Sequence, residues 1–111
     1  MDTVEIYRQL IQKILGEHAQ IPYAYGDIQI EPVLDRQADR YLLVILERED
    51  DRRVHGCLVH IDIINCKVWI QRDGTEDGIA NELVRAGVPK DRIVLGFRSP
   101  AIRKHTEFAV A

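Results

Sequence analysis

Cysteine is scarce: Cys57 and Cys66 are the two in 111 residues, and they form neither a CxxC half-site nor a disulfide framework. A cysteine-based zinc site is thereby excluded, and two plain thiols in a reducing compartment are expected. Long apolar runs are missing as well. No stretch approaches the roughly 18 to 20 apolar residues of a membrane helix, and Met1-Asp2-Thr3-Val4-Glu5 has no basic leader region, so a cytoplasmic chain without membrane contact is expected. Nor is there an excess of positive charge. Fifteen Lys and Arg against 18 Asp and Glu leave a net charge of −3, which argues against autonomous, tight binding to phosphate backbones. Catalytic signatures are lacking too: there is no GxSxG, and Ser99 precedes a proline in a turn. Gly74 and Gly78 flank an acidic stretch instead of forming a phosphate loop, and Asp73 to Asp77 lacks the alternating ligands of a calcium loop.

What is present is the composition of one ordinary globular domain over residues 1–111, 46% hydrophobic and 30% charged. Val4, Tyr7, Leu10, Ile11, Ile14 and Leu15 recur at helical spacing, which predicts an amphipathic helix capped by Asp2 or Thr3 and ended near His18 by Gly16 and Pro22. From Asp27 the period becomes two. Ile28, Ile30, Pro32 and Val33-Leu34 read as an edge strand, because Pro32 has no N–H for a ladder. Arg40 to Glu49 is apolar on both faces and belongs inside a sheet, followed by an Asp50-Asp51 turn. Arg53 to Ile64 and Lys67 to Asp73 are two more strands, joined by a type I′ turn at Asn65-Cys66. Thr75 is expected to cap a second helix with Glu76 and Asp77 in its first turn, Gly87 to close it, and Pro89 to follow. Ile93 to Phe97 reads as a short strand or extended segment, Ser99-Pro100 as the start of one helical turn, and Phe108 to Ala111 as an apolar tail docked on the domain.

If both hairpins have two-residue loops, register follows by counting. One face then carries Leu42, Val44, Leu46, Cys57, Val59, Ile61, Ile63, Val68 and Ile70, and should lie under the first helix. The other carries Tyr41, Leu43, Ile45, Leu58, His60, Asp62, Trp69 and Gln71. This mixture of aromatic, aliphatic and polar groups has the character of an interface. Two readings stand for it: it meets a partner, or the chain's own second helix and tail cover it. His60 and Asp62, with His55 and His105, are the candidates for a metal, but HxD on a strand reads more simply as structural hydrogen bonding, with Tyr41 reaching His60 across the strand pair. Cys57 on the core face should be a protonated, inert thiol. For an anionic partner, Arg85, Lys90, Arg92, Arg98, Arg103 and Lys104 form a basic stretch opposed by Asp91 alone, while Glu47-Arg48-Glu49-Asp50-Asp51 is acidic. The plain reading is solvated surface charge.

The second half carries a family resemblance: His60-Ile61-Asp62, the run Val68-Trp69-Ile70-Gln71-Arg72-Asp73-Gly74-Thr75-Glu76-Asp77-Gly78, Gly87-Val88-Pro89-Lys90, Ile93 to Phe97 and Arg103 to Ala111. On these residues the chain resembles the XisI family over essentially its whole length, departing at Asn65-Cys66, where a glycine turn is usual, and at Arg98, where a histidine is expected. The elements read above assemble into an α+β fold, with an N-terminal helix on a four-stranded antiparallel meander, then a second helix and an extended C-terminal segment. The resemblance implies a controlling factor for excision of the fdxN DNA element during heterocyst development, and the missing catalytic motifs make a non-enzymatic one the expectation. The partners implied are an XisH-like accessory protein, similar to nuclease-fold proteins, and the excision recombinase, which would perform the strand chemistry. No catalytic, cofactor or metal residues carry over. The residues expected to contact a partner are Tyr41, His60, Trp69, Gln71, Arg98, Arg103 and Lys104, and the second sheet face would also serve a homodimer. A small nucleic-acid-binding accessory protein is the alternative function.

Overall fold

The computed structural model describes residues 3–20, 27–49 and 52–111, with the side chains of residues 27, 48, 49, 52 and 54 left aside. The expected cap at Asp2, the stop at Pro22 and the Asp50-Asp51 turn lie outside the described residues. The chain runs α1 (Thr3–Ala19), β1 (Asp27–Asp35), β2 (Arg40–Glu49), β3 (Arg52–Ile64), β4 (Lys67–Asp73), α2 (Ile79–Arg85), a 3-10 turn (Lys90–Arg92), β5 (Ile93–Leu95) and α3 (Pro100–Arg103). The α+β class with an N-terminal helix holds, and the sheet has five strands in the order β1-β2-β3-β4-β5. The first three pairings are antiparallel, as the sequence predicts; β5 adds a parallel strand beside β4. A parallel neighbour needs a crossover, and α2 with the turn after it supplies one. Beyond β5 the tail docks as expected: the Ala109 N–H donates to the Ile93 carbonyl at 2.9 Å, and Ala109 bridges Val94.

The apolar stripe of α1 seats Tyr7, Ile11, Ile14 and Leu15 in the core. Beneath it lie Tyr41, Leu43, Val59, Ile61, Val68 and Ile70, and α2 adds Ile79, Ala80 and Leu83. Burying each large side chain stabilises the fold by about 1.5–3 kcal/mol, so both helices belong to this one face. At the rim, two of the three guanidinium nitrogens of Arg8 bind Asp39, Nε at 2.7 Å and Nη2 at 3.0 Å, and the Tyr41 hydroxyl donates to Asp39 Oδ1 at 3.0 Å. His18 of α1 meets Glu82 of α2 at 2.7 Å.

The strand ends flanking the hairpins pair as the count expects. Glu49 pairs with Arg52 and Ile64 with Lys67, and Asn65 and Cys66 have φ of 50° and 63°, the left-handed pair that a type I′ turn requires. The counted register nevertheless fails part-way along β2 and β3. Val44 pairs with Cys57 as counted, but Leu43 pairs with Val59, leaving Leu58 as an extra bulged residue. One inserted residue reverses which side chains face the core. Tyr41 and Leu43 are therefore the buried pair, Leu58 packs against the core, and Ile45 follows Leu43 by alternation. Leu42, Val44, Leu46 and Cys57 turn to the other side. A second bulge, at Gln71, falls between the pairs Ile61–Ile70 and His60–Arg72. Its extra residue is on β4, so alternation along β3 is undisturbed there, and Val59, Ile61, Val68 and Ile70 are in the core as expected.

The start of α2 also departs from expectation. The helix begins at Ile79, so Thr75 is not its cap and Glu76 and Asp77 precede its first turn. The carboxylate of Asp73 takes that role from six residues away. Its Oδ2 accepts from the Ile79 N–H at 2.6 Å, and its Oδ1 accepts from the N–H and hydroxyl of Thr75. At the other end Gly87, at φ 112°, donates to the Val84 carbonyl while Val88 donates to that of Leu83. This is a Schellman closure, sealed by the buried pair Leu83 and Val88.

Candidate partner-binding face

The bulge at Leu58 determines what the side of the sheet opposite α1 displays. Cross-strand pairing aligns Val33 with Leu42, Leu42 with His60, and Asp62 with Trp69; further along, Glu31 pairs with Val44 and Val44 with Cys57. An aliphatic strip of Val33, Leu42, Val44 and Leu46 thus runs into a polar and aromatic cluster of His60, Asp62, Trp69 and Gln71. Val33 is 45% exposed, and Leu42, Val44 and Leu46 are each only partly buried. No described helix packs on this strip.

Within the cluster, His60 Nε2 and Asp62 Oδ1 lie 3.0 Å apart, and Gln71 Nε2 donates to Asp62 Oδ2 at 3.3 Å. Gln71 is wedged against Gly96, where a Cβ would come within 2.5 Å of its Oε1. The Arg103 guanidinium stacks on Trp69, 5.2 Å from the ring centroid, which places α3 on this face. Arg103 Nε donates to the Arg98 carbonyl at 2.9 Å and Nη1 to that of Val110 at 3.1 Å, so one side chain ties α3 to the tail. Cys57 donates to the Val59 carbonyl at 3.1 Å, and burial pushes its thiol pKa up. Chemically the cluster offers one imidazole leaning on a carboxylate. No group of three or more candidate metal ligands gathers among the described residues.

The expected contact residues therefore separate. His60, Trp69 and Gln71 do share a face. Tyr41 does not: it is fully buried under α1, and its hydroxyl goes to Asp39 instead of His60. Burial first, and then the bond to Asp39, push its pKa up to about 12. Arg103 lies over Trp69 as part of the chain's own cover, while Arg98 and Lys104 are exposed on α3 and its approach, with Arg98 against the ring of Phe97. Of the two coverings foreseen for Trp69, the C-terminal segment is the one that touches it; α2 packs on the opposite face. The basic stretch is partly spent internally, since Lys90 pairs with Glu107 at 2.8 Å. Counting missed Leu42, Val44 and Leu46. A strand apolar on both faces carries no signal that distinguishes its sides.

The sequence model of the XisI protein family matches residues 1–110. The chain belongs to the XisI family. Two solved structures agree over the full length. A XisI-like protein from Anabaena variabilis superposes with a TM-score of 0.89 at 31% identity, covering 97% of this chain and 99% of the other. The fdxN element excision controlling factor XisI from the same organism gives 0.86 at 32% identity, covering 99% and 100%. A comparison with curated proteins finds no match. The family fold thus includes the parallel β5 and the C-terminal segment, because coverage this complete leaves neither outside the superposition.

Proposed function

We propose that this XisI-family chain is a non-enzymatic controlling factor for excision of an fdxN-type DNA element, acting in the cytoplasm through contact with an XisH-like accessory protein. The observation that carries the reading is the full-length likeness, at 32% identity, to the solved fdxN element excision controlling factor XisI. The uncovered sheet face supports a protein contact. Its strip of Val33, Leu42, Val44 and Leu46 is apolar, and interfaces of comparable make-up draw their energy from such a centre ringed by polar groups. His60, Asp62 and Gln71 supply that ring on one side. The recombinase would carry out strand cleavage and joining, and this chain would position or restrain its partner.

The test is a calorimetric titration of the protein with its cognate XisH-like partner, run beside a short DNA duplex. Tight binding to the partner, weakened at least about tenfold by a Leu42→Glu and Val44→Glu double variant that stays folded, is the expected result. Unchanged binding by that variant removes the face assignment. Binding to DNA alone, with a steep salt dependence, would replace the reading with that of a nucleic-acid accessory protein and direct attention to Arg98 and Lys104.

A further inference from the structure

β4 and β5 run parallel, with Val68 beside Ile93, so the residues just before the two strands come together at one end of the sheet. These are Cys66, at the tip of the β3–β4 turn, and Arg92, at the end of the 3-10 turn. The start of α1 closes over them. Thr3, Val4, Tyr7, Cys66 and Arg92 enclose an open cavity of about 350 Å³, within the size range of small-molecule sites.

Two features of the lining point to a ligand. Tyr7 is 95% buried, being 5% exposed, yet its hydroxyl has no hydrogen-bond partner among the described residues. That hydroxyl is not sealed off either, since no described side-chain oxygen or nitrogen is both sealed and unpaired. Tyr7 follows Thr3 and Val4 by one turn on the same side of α1, and all three line the cavity. The second feature is Arg92. Its guanidinium forms no ion pair or hydrogen bond among the described residues, whereas neighbouring Lys90 is taken by Glu107 and Lys67 donates to the Ala111 carbonyl. Glu5, on the first turns of α1, is committed to Arg36 and Arg8. Asp91 is the one exposed acid adjoining Arg92 in sequence.

We infer that this cavity binds a small phosphomonoester, its phosphate oxygens held by the Arg92 guanidinium and the hydroxyls of Tyr7 and Thr3. A guanidinium fork and two hydroxyls present several donors to one tetrahedral oxyanion, a better match than a planar carboxylate offers them. The volume exceeds that of a bare phosphate and leaves room for a substituent about the size of glycerol. The Cys66 thiol at the rim is a built-in reporter, because the Cys57 thiol is half-buried and its pKa is raised.

The experiment titrates the full chain with glycerol 3-phosphate, inorganic phosphate and glycerol, following heat and the rate of Cys66 alkylation by iodoacetamide. Saturable heat and protection are expected with both phosphates, tighter for the ester, and none with glycerol. Arg92→Ala should weaken binding about tenfold or more, and Tyr7→Phe about threefold to tenfold with an unchanged melting temperature. That pairing separates a ligand contact from a structural role, since Phe keeps the packing and removes only a hydroxyl that is unpaired among the described residues. Heat and protection that do not saturate, or binding that survives in Arg92→Ala, overturn the inference.

Discussion

The two faces of the sheet are built from the same aliphatic residue types and differ in what they meet. On one, Leu43 and Tyr41 are sealed under α1 and the face holds a continuous core. On the other, Leu42 and Val44 sit one residue along the same strand, partly open, and among the described residues the chain's own cover lies at the Trp69 end, where Arg103 stacks. Residue type therefore says little about burial here. A single bulge at Leu58 decides which leucine of β2 is core and which is surface.

The strongest way to break that contrast is to truncate the adjacent leucines in turn. Leu43→Ala should cost about 2–5 kcal/mol and Leu42→Ala about half as much or less, read from urea unfolding. Equal losses would mean that the second face is sealed in solution, as a homodimer would seal it. Next comes the rim of the sealed face. The Arg8 guanidinium, then the Tyr41 hydroxyl, hold the Asp39 carboxyl below the usual carboxylate range. A depressed pKa stabilises the fold above the unfolded value near pH 4 and is lost as pH falls through the folded value. Asp39→Asn should accordingly flatten the acid limb of a stability–pH profile. Tyr41 has the opposite sign: with its pKa raised to about 12, its contribution is full below the unfolded value near pH 10 and disappears as pH rises through the folded one. Tyr41→Phe should remove that alkaline step.

On the open face the effects are smaller. Arg103→Ala loses the stack on Trp69 and both carbonyl contacts, at a cost of about 1 kcal/mol. Amide exchange should then quicken at Ala109 while the Val59 and Ile61 amides stay protected. Exchange that quickens across the whole sheet would show that the tail is part of the core. The smallest change is a gain. Cys66 occupies φ 63°, where a glycine avoids the left-handed penalty, so Cys66→Gly should stabilise by about 0.5–1 kcal/mol in the same urea assay.

Much of this was legible because local chemistry and fold agree. The Asn65-Cys66 turn, the Gly87 closure, the edge position of β1 and the limits of β2 and β4 each follow from a residue whose backbone or side-chain requirement is local. The α1 stripe is equally plain, since its 3.6-residue period has no competing reading. His60, Trp69 and Gln71 share a face as the sequence predicts, because the count from the short β3–β4 turn reaches Trp69 before the second bulge and Gln71 at it, while alternation along β3 carries His60 with Asp62. Tyr41 was not, since the count from the other hairpin had to cross Leu58. The cap of α2 was misplaced for a related reason: Asp73 reaches the helix only because the Gly74–Gly78 loop folds back upon it.

What the sequence by itself determined is the set of elements, their order, the interior place of β2, the sealed stripe of α1 and the family. Hydrophobic period and turn chemistry encode these within a few residues. Tertiary structure decided the rest: the side of β2 that faces the core, the parallel seat of β5, the stacking of Arg103 on Trp69 and the meeting of Tyr7, Cys66 and Arg92. Each depends on residues far apart in the chain or on one inserted residue in a strand apolar on both sides. Packing against the helices selects among registers that the pattern leaves equal.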